Sequence, residues 1–479
     1  MYIIADRPKE IQPEKLPPRR ERRVEQLELY RRFKKLKKRI KGCDLPVDFD
    51  NDSCTSVGNF ASIESFKRGI GFLEQIKGSL TLKKGANSMF GAPEMIDYQV
   101  DALLAGYSRI EHTEQLRFDP GYLKVKGIKS FPSEKCFRDL YSQMEEGHLA
   151  ELEGLNLWLI KQKSLWEGPC SVSLDYDDTV ITLHGQQELG EVGYNPRYHG
   201  RPSLKVKVCF ISGTDEVLSA QIYGGKTHSN GGFLEFHNAC EAKLPHNYVL
   251  KRVRLDKGFF DEVNFQYFEE STSEYICKAP LKENLKRVAL DISDWEEISK
   301  RHSVAERTLI LPSWSKPRRF IFIREKMDQN GQLLLPGLYK YQAIVTNIEE
   351  ETPLEIWQDY NRRARIEGTI EELKDGFACE QMSQHEIRRN LAFMGVKLIA
   401  YNLHNFFKKA LLPDHAKGWK IKTLRMDFLR VPGNIVGNGR YRRIRLAGNR
   451  ALMALVEAVK ANLERFLWQW SYCLIYHRA

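Results

Sequence analysis

Apolar residues recur at three- and four-residue steps through the first third of the chain and at every second position after residue 170, and this change of period organises the molecule. The stretches FASIESFKRGIGFLEQIKG (60–78), PEMIDYQVDALLAGYSRI (93–110) and PSEKCFRDLYSQMEEGHLAELEGLNLWLIKQKSLW (132–166) predict helices. The third opens at Pro132-Ser133, with Ser133 as its cap. From 171, SVSLDYDDTVITL predicts strand, turn and strand. RPSLKVKVCFISG and EVLSAQIYGG pair across Gly213-Thr214-Asp215. GGFLEFHNACEAKL then reads as helix, NYVLKRVRLDKGF as strand, EVNFQYFEE as helix and STSEYICKAP as strand, an α/β alternation. Strands return between 285 and 350, with a hairpin signal at Asn330-Gly331. Helices follow near 360, over 380–412 and from 450 to the end, the last preceded by a basic, turn-rich segment at 430–446.

Charge adds a partner class. The net charge is +11 with a pI near 9.0, which suits a polyanion. Between Arg19 and Lys41 twelve Lys and Arg face three Glu, a local +9, while Val24, Leu27, Phe33, Leu36 and Ile40 recur at helical steps. A basic amphipathic helix of this kind suits nucleic acid, as does the second cluster GRYRRIRL at 439–446, where Arg440, Arg442 and Arg443 are candidate DNA contacts. No run of 18 apolar residues predicts a membrane span, and the opening MYIIADRPKEIQPEK has no signal-peptide core, so the expectation is a cytoplasmic protein. The nine cysteines are scattered without a CxxC pair and predict reduced structural thiols.

Acids on strands supply the candidate chemistry. Asp175 and Asp177 interrupt the β pattern of VSLDYDD and, two apart, share a side; Asp178 faces away. Asp256 ends VLKRVRLD just before Gly258. A strand-end acid is ordinary, but burying a carboxylate is costly unless it is paired or holds a metal. On the helix near 360, YNRRARIEGTIEELK places Tyr360, Arg363, Glu367 and Lys374 at offsets of 3, 7 and 14 residues, inside one 60° sector at about 100° per residue. A solvated face with i, i+4 charge pairs is the ordinary outcome of such a stripe. Carboxylates from three separate elements also meet the requirement of a two-Mg²⁺ site, in which hard oxygen ligands hold two cations across a phosphodiester.

With those motifs the sequence resembles the DDE transposases of bacterial insertion sequences, in the group marked by a Y-(2)-R-(3)-E-(6)-K signature. Tyr360, Arg363, Glu367 and Lys374 fill that signature at every spacing. DYDDTVITLHGQQE and GYNPRYHGRPSL resemble the first aspartate region, VRLDKGF the second, and RRNLAFMGVKLIAYNL the helix after the glutamate; Lys257 stands where that branch usually has a small residue. The resemblance covers about 170–410. It implies an α/β fold: an RNase H-like mixed sheet flanked by helices, with a β-rich insertion in the 111 residues between Asp256 and Glu367, to which charge and periodicity add a helical N-terminal region and a helical C-terminal region. The expected layout is a basic arm (1–45), a helical DNA-binding region (46–165), a core in two parts (170–284 and 351–412) around the insertion (285–350), and a C-terminal region for dimerisation or DNA binding (413–479). It also implies Mg²⁺, replaceable by Mn²⁺, held by Asp175 or Asp177 with Asp256 and Glu367. The family's Asp-x-Thr pattern points to Asp177, and Asp175 on the same side stays open. Tyr360, Arg363 and Lys374 would contact the terminal phosphates. The implied partners are the terminal inverted repeats and target DNA, gripped by a homodimer without any membrane, and many members with this signature release their element through hairpin ends. A plain nuclease or a DNA-binding derivative without catalysis are the rival readings.

Other residues carry less. His184, His199 and His228 lack metal-ligand spacing, and Gly224-Gly225 and Gly231-Gly232 read as turns. Trp468 and Trp470 are expected in the core, and Trp314 and Trp357 are candidates for stacking on an unpaired base.

Overall fold

The computed structural model describes residues 19–40, 51–329, 332–333, 339–437 and 441–476, and the chain divides into two compact units after Asp52. The first unit is described through one helix, α1 (Arg19–Ile40), along which Val24, Leu27, Phe33 and Leu36 are each more than half exposed.

The second unit opens with a two-residue strand, β1 (Cys54–Thr55), and a helical region that includes α2 (Phe60–Gly69), α3 (Ala92–Ala105), α4 (Pro120–Lys126) and α5 (Glu146–Glu167). The stretch 60–78 makes two helices rather than one, because Gly71 takes φ 72° between α2 and Phe72–Ser79. The stretch 132–166 also divides, into Glu134–Ser142 and α5, with Ser133 capping the first as expected.

Eight strands then build most of one ten-stranded sheet: β2 (Cys170–Thr182), β3 (Pro202–Ser212), β4 (Glu216–Gly224), β5 (Tyr248–Leu255), β6 (Glu274–Ala279), β7 (His302–Leu309), β8 (Arg318–Lys326) and β9 (Tyr339–Thr346). Their order is β4-β3-β2-β5-β6-β9-β8-β7, with short strands at Glu191–Val192 on β3 and Glu296–Glu297 on β7. The pairs β2–β3 and β3–β4 are antiparallel, while β2–β5 and β5–β6 are parallel. This is the RNase H-like mixed sheet that the resemblance implies. β2 is one continuous strand rather than strand, turn and strand. Its backbone pairs with β3 without a break from Ser173↔Ser212 to Thr182↔Ser203, so its two odd-numbered acids sit on one face and interrupt nothing.

The β-rich segment after residue 285 adds β7, β8 and β9 to the same sheet, since β9 pairs antiparallel with β6 from Ala343↔Ala279 to Thr346↔Ile276. Asp328–Gln329 pairs with Gln332–Leu333 around the Asn330-Gly331 signal, which itself lies outside the described residues.

Helices cover both faces. Leu174 and Tyr176 of β2 point into a core with Phe233, Phe259 and Phe268, while Ile181 of β2 and Val206 and Val208 of β3 point into another with Ile366, Leu373 and Phe377. After β9 come α6 (Pro353–Arg362), α7 (Ala364–Phe377) and α8 (Ile387–Leu411), the last starting seven residues later than the helical period suggested. Buried Asn402 fixes α8 to the sheet, accepting from the Val217 amide (3.0 Å) and donating to the Val217 carbonyl (2.9 Å) and to Asn156 (2.8 Å). The segment 430–446 forms a hairpin, β10 (Gly433–Val436) and β11 (Arg443–Leu446), with β10 also paired to β1. A final helix, α9 (Arg450–Tyr476), packs on α8.

Candidate active site

Parallel pairing of β2 and β5 sets Tyr176 against Leu255, so the next residues, Asp177 within β2 and Asp256 just past the end of β5, lie side by side. Asp177 is largely buried. Its Oδ1 accepts the Asp178 amide (2.9 Å) and its Oδ2 lies 3.5 Å from Arg363 Nη2. Burial, reinforced by the charge of Asp256 and opposed by Arg363, pushes the Asp177 carboxyl up to about 6. The Asp256 carboxylate has no hydrogen-bond or ion-pair partner among the described residues. Asp178 lies toward Ser229, Lys205 and Lys207 rather than toward Arg363.

The helix near 360 is broken at Arg363. The Arg363 amide bonds back to the Tyr360 carbonyl (2.9 Å) and the Ile366 amide to the Arg363 carbonyl (2.9 Å), both three residues apart. This tightened step lets Arg363 turn inward, where Nη2 donates to the Tyr176 carbonyl (2.6 Å) and Nε has no acceptor among the described residues. The single stripe predicted for the signature therefore divides. Tyr360 and Arg363 are buried, Lys374 is half-buried, and Glu367 is exposed, with neither a hydrogen bond nor an ion pair among the described residues. Burial pushes the Tyr360 phenol up, so it stays neutral. Asp177 and Asp256 hold the Arg363 guanidinium charged despite burial. Lys374 reaches the Val180 carbonyl (3.4 Å) and, with Arg109, Arg197 and Tyr198, lines a cleft of about 660 Å³.

Asp175 has a different setting. It is fully buried and held by Arg254, its register partner on β5, with Nε–Oδ1 at 2.7 Å and Nη2–Oδ2 at 2.8 Å. Arg254 Nη1 donates to the Asp359 carboxylate (2.9 Å) and carbonyl (2.7 Å) on α6. Arg252 takes the other Asp359 oxygen (2.8 Å) and also Glu351 (2.6 Å). Charges at alternate positions of an otherwise apolar strand, VLKRVRLD, were the signal for this network, and the sequence reading passed over it.

The sequence matches the family of transposase DDE domains, group 1, over residues 37–468. This chain belongs to the DDE transposases. A piggyBac transposase, solved by cryo-EM as a synaptic complex with hairpin DNA, aligns with 86% of this chain and 82% of its own at 10% identity and a TM-score of 0.38. Among curated proteins, none matches the sequence. The transposase is an enzyme whose partner is DNA and whose chemistry uses a divalent metal.

The donors of the transposase fit such a metal. Asp177 and Asp256 bring hard oxygens together, and burial, reinforced by the charge of Asp256, raises the Asp177 carboxyl, a penalty that a bound cation would relieve. A second carboxylate group, Glu64, Asp97 and Asp101, is buried in the helical region. There the cation positions are filled by the chain itself. Lys126 reaches Glu64 (2.8 Å) and Asp101 (2.8 Å), Lys67 contacts Asp97 and Asp101, and the Tyr122 hydroxyl donates to Asp101 (2.9 Å). That cluster is an ion-pair network.

The remaining candidates take different places. Trp470 is in the core, but Trp468 is 64% exposed, because the two lie 200° apart on α9 and only one can face α8. Trp314 is buried against Phe320 and Arg318, so its face is taken. Trp357 is half-buried beside His302. His184 bonds Arg201 (3.1 Å). Arg442 and Arg443 are exposed on the β10–β11 hairpin, and Arg440 lies outside the described residues. The eight described cysteines are free, and no helix among the described residues is long and apolar enough to cross a membrane.

Proposed function

We propose that this transposase works by cut and paste: it binds the terminal inverted repeats of its element as a homodimer, cleaves the ends and joins them to target DNA. The observation that carries the site is the side-by-side placement of Asp177 within β2 and Asp256 at the end of the adjacent parallel β5, with Arg363 facing Asp177. Asp177, Asp256 and Glu367 would hold two Mg²⁺, and Asp175 is set aside because Arg254 already occupies both its oxygens. Bound Mg²⁺ supplies activation of the attacking oxygen and stabilisation of the leaving one.

The chain's own residues do the rest. Arg363 keeps a charge that Asp177 and Asp256 hold against burial, and its buried Nε–H has no acceptor among the described residues, which suits a phosphate oxygen beside Asp177. Tyr360, neutral, offers a hydroxyl donor without adding charge. Lys374 adds a point charge to the lining of the 660 Å³ cleft. The segment 19–41, with a charge of +9, supplies sequence-independent attraction to DNA, with Arg442 and Arg443 as a second basic group.

The test is a labelled duplex carrying the repeats that flank the gene, incubated with Mg²⁺ and either the wild type or Glu367→Gln. Cleaved and joined products from the wild type alone support the reading, and denaturing gels separate hairpin ends from free 3′ ends. A Glu367→Gln protein that cuts as well as the wild type would overturn the site. Cleavage without joining would leave a nuclease.

A further inference from the structure

Beside the β10–β11 hairpin a cavity of about 220 Å³ opens between parts of the chain far apart in sequence: Arg68 on α2, Lys124 on α4, and Arg442 and Arg443 leading into β11. Among the described residues Glu64 is the one acid in its wall, and its carboxylate is engaged by Arg68 (2.8 Å) and by Lys126 (2.8 Å). The cavity is therefore cationic. It continues along the ribbon, because Arg443 and Arg445 share the outer face of β11 while Ile444 and Leu446 turn inward, and Tyr441 beside them is 88% exposed.

The frame that holds these cations is rigid. Asp119 caps α4 by accepting the Tyr122 amide (2.7 Å), and its other oxygen takes the Thr55 hydroxyl (3.1 Å) and the Ser56 amide (2.8 Å), which fixes β1 to α4. Gly121 lets β1 lie close, since a Cβ there would sit 2.5 Å from Thr55 Cβ. Gly58 does the same for the hairpin, where a Cβ would meet Leu446 Cδ2 at 2.4 Å. Lost backbone freedom on this scale suits a surface that must present charge in one arrangement.

We propose that Arg68, Lys124, Arg442, Arg443 and Arg445 form a docking surface for the sugar–phosphate backbone of duplex DNA, separate from the carboxylate site. It rests on the DNA-transposase reading above and extends it to residues, Arg68, Lys124 and Arg445, that no motif marks. Duplex rather than a lone phosphate is favoured because the cations run from the cavity out along an exposed two-stranded ribbon, and such a ribbon fits a DNA groove. Contacts of this type position the duplex and read no sequence.

The test uses the full chain with Arg68, Lys124 and Arg443 all changed to Gln, and a second protein with the three changed to conserve charge (Arg68→Lys, Lys124→Arg, Arg443→Lys). Binding is measured against salt for a duplex carrying the terminal repeats and for an unrelated duplex of equal length. Each lost phosphate contact lowers the salt slope by about 0.9, so the Gln variant should lose roughly 2 to 3 in slope and about 10- to 100-fold in affinity, equally for both duplexes. The charge-conserving variant should keep most of both. An unaltered slope and affinity in a folded Gln variant would overturn the proposal while leaving the transposase reading intact. Loss of inorganic phosphate binding without loss of duplex binding would also overturn it, in favour of a small-anion site. A wild type that binds no duplex removes the DNA reading and this surface together.

Discussion

Arg254 grips Asp175 through both carboxylate oxygens and Asp359 through its remaining nitrogen, next to the residues proposed to carry the chemistry. Each of the three stands close in sequence to a site residue: Asp175 two before Asp177, Arg254 two before Asp256, and Asp359 one before Tyr360. One guanidinium thereby ties both strands and the helix to a single position.

Asp175→Asn should therefore act on stability. It leaves Arg254 buried with half its pairing gone, and breaking a buried pair costs about 3–5 kcal/mol. Urea unfolding should show that loss, while cleavage per folded molecule at low temperature should persist. A variant as stable as the wild type but inactive would make Asp175 the metal ligand in place of Asp177.

Asp177→Asn should do the reverse. The folded Asp177 carboxyl titrates at about 6 against an ordinary value of 3.8, so its charge opposes folding at every pH above about 6. That penalty, on the order of 2–3 kcal/mol at neutral pH, fades as pH falls from 6 toward 3.8. Without metal, the Asn protein should melt no lower than the wild type at pH 7.5 and lose that advantage near pH 4. Cleavage should fall by at least about a thousandfold with DNA binding kept.

Divalent metal should remove the same penalty by another route. Mg²⁺ at about a hundredfold its dissociation constant should stabilise the wild type by roughly 2.7 kcal/mol, read as a rise in melting temperature. Asp177→Asn should respond much less. Equal rises in both proteins would place the metal elsewhere.

The Glu64–Asp97–Asp101 cluster should behave as an ion-pair network and not as a metal site. Lys126→Met strands buried carboxylates at the centre of the helical region and should cost about 3–5 kcal/mol, checked by urea unfolding. Chelator should leave the Lys126→Met and wild-type proteins equally far apart. A gap that closes on adding Mg²⁺ would mean a cation can take the lysine's place.

Much of the fold was legible because its signals are local. The change of period near 170, the Gly213–Asp215 turn and the Ser133 cap each depend on a few neighbouring residues, and the family signature is a matter of spacing alone. What sequence could not show depends on register. The Asp175–Arg254 pair joins residues 79 apart, and only the parallel alignment of β2 with β5 makes them neighbours. The break at Arg363 likewise follows from a bond to the Tyr176 carbonyl, 187 residues away, so helical periodicity alone predicted one unbroken stripe. The continuity of β2 was hidden because its acids looked like turn residues until their partners were known.

The pairing of β9 with β6 has a practical consequence for anyone trimming this enzyme. Residues 302–346 look in sequence like a removable module, yet they form the outer flank of the sheet that carries the two aspartates. Excising them would bare the apolar edge of Ile276–Ala279, and an open edge of that kind recruits other chains. A shortened version should therefore aggregate in the expressing cell before it can be assayed, and a minimal catalytic core of this transposase has to keep all eight long strands.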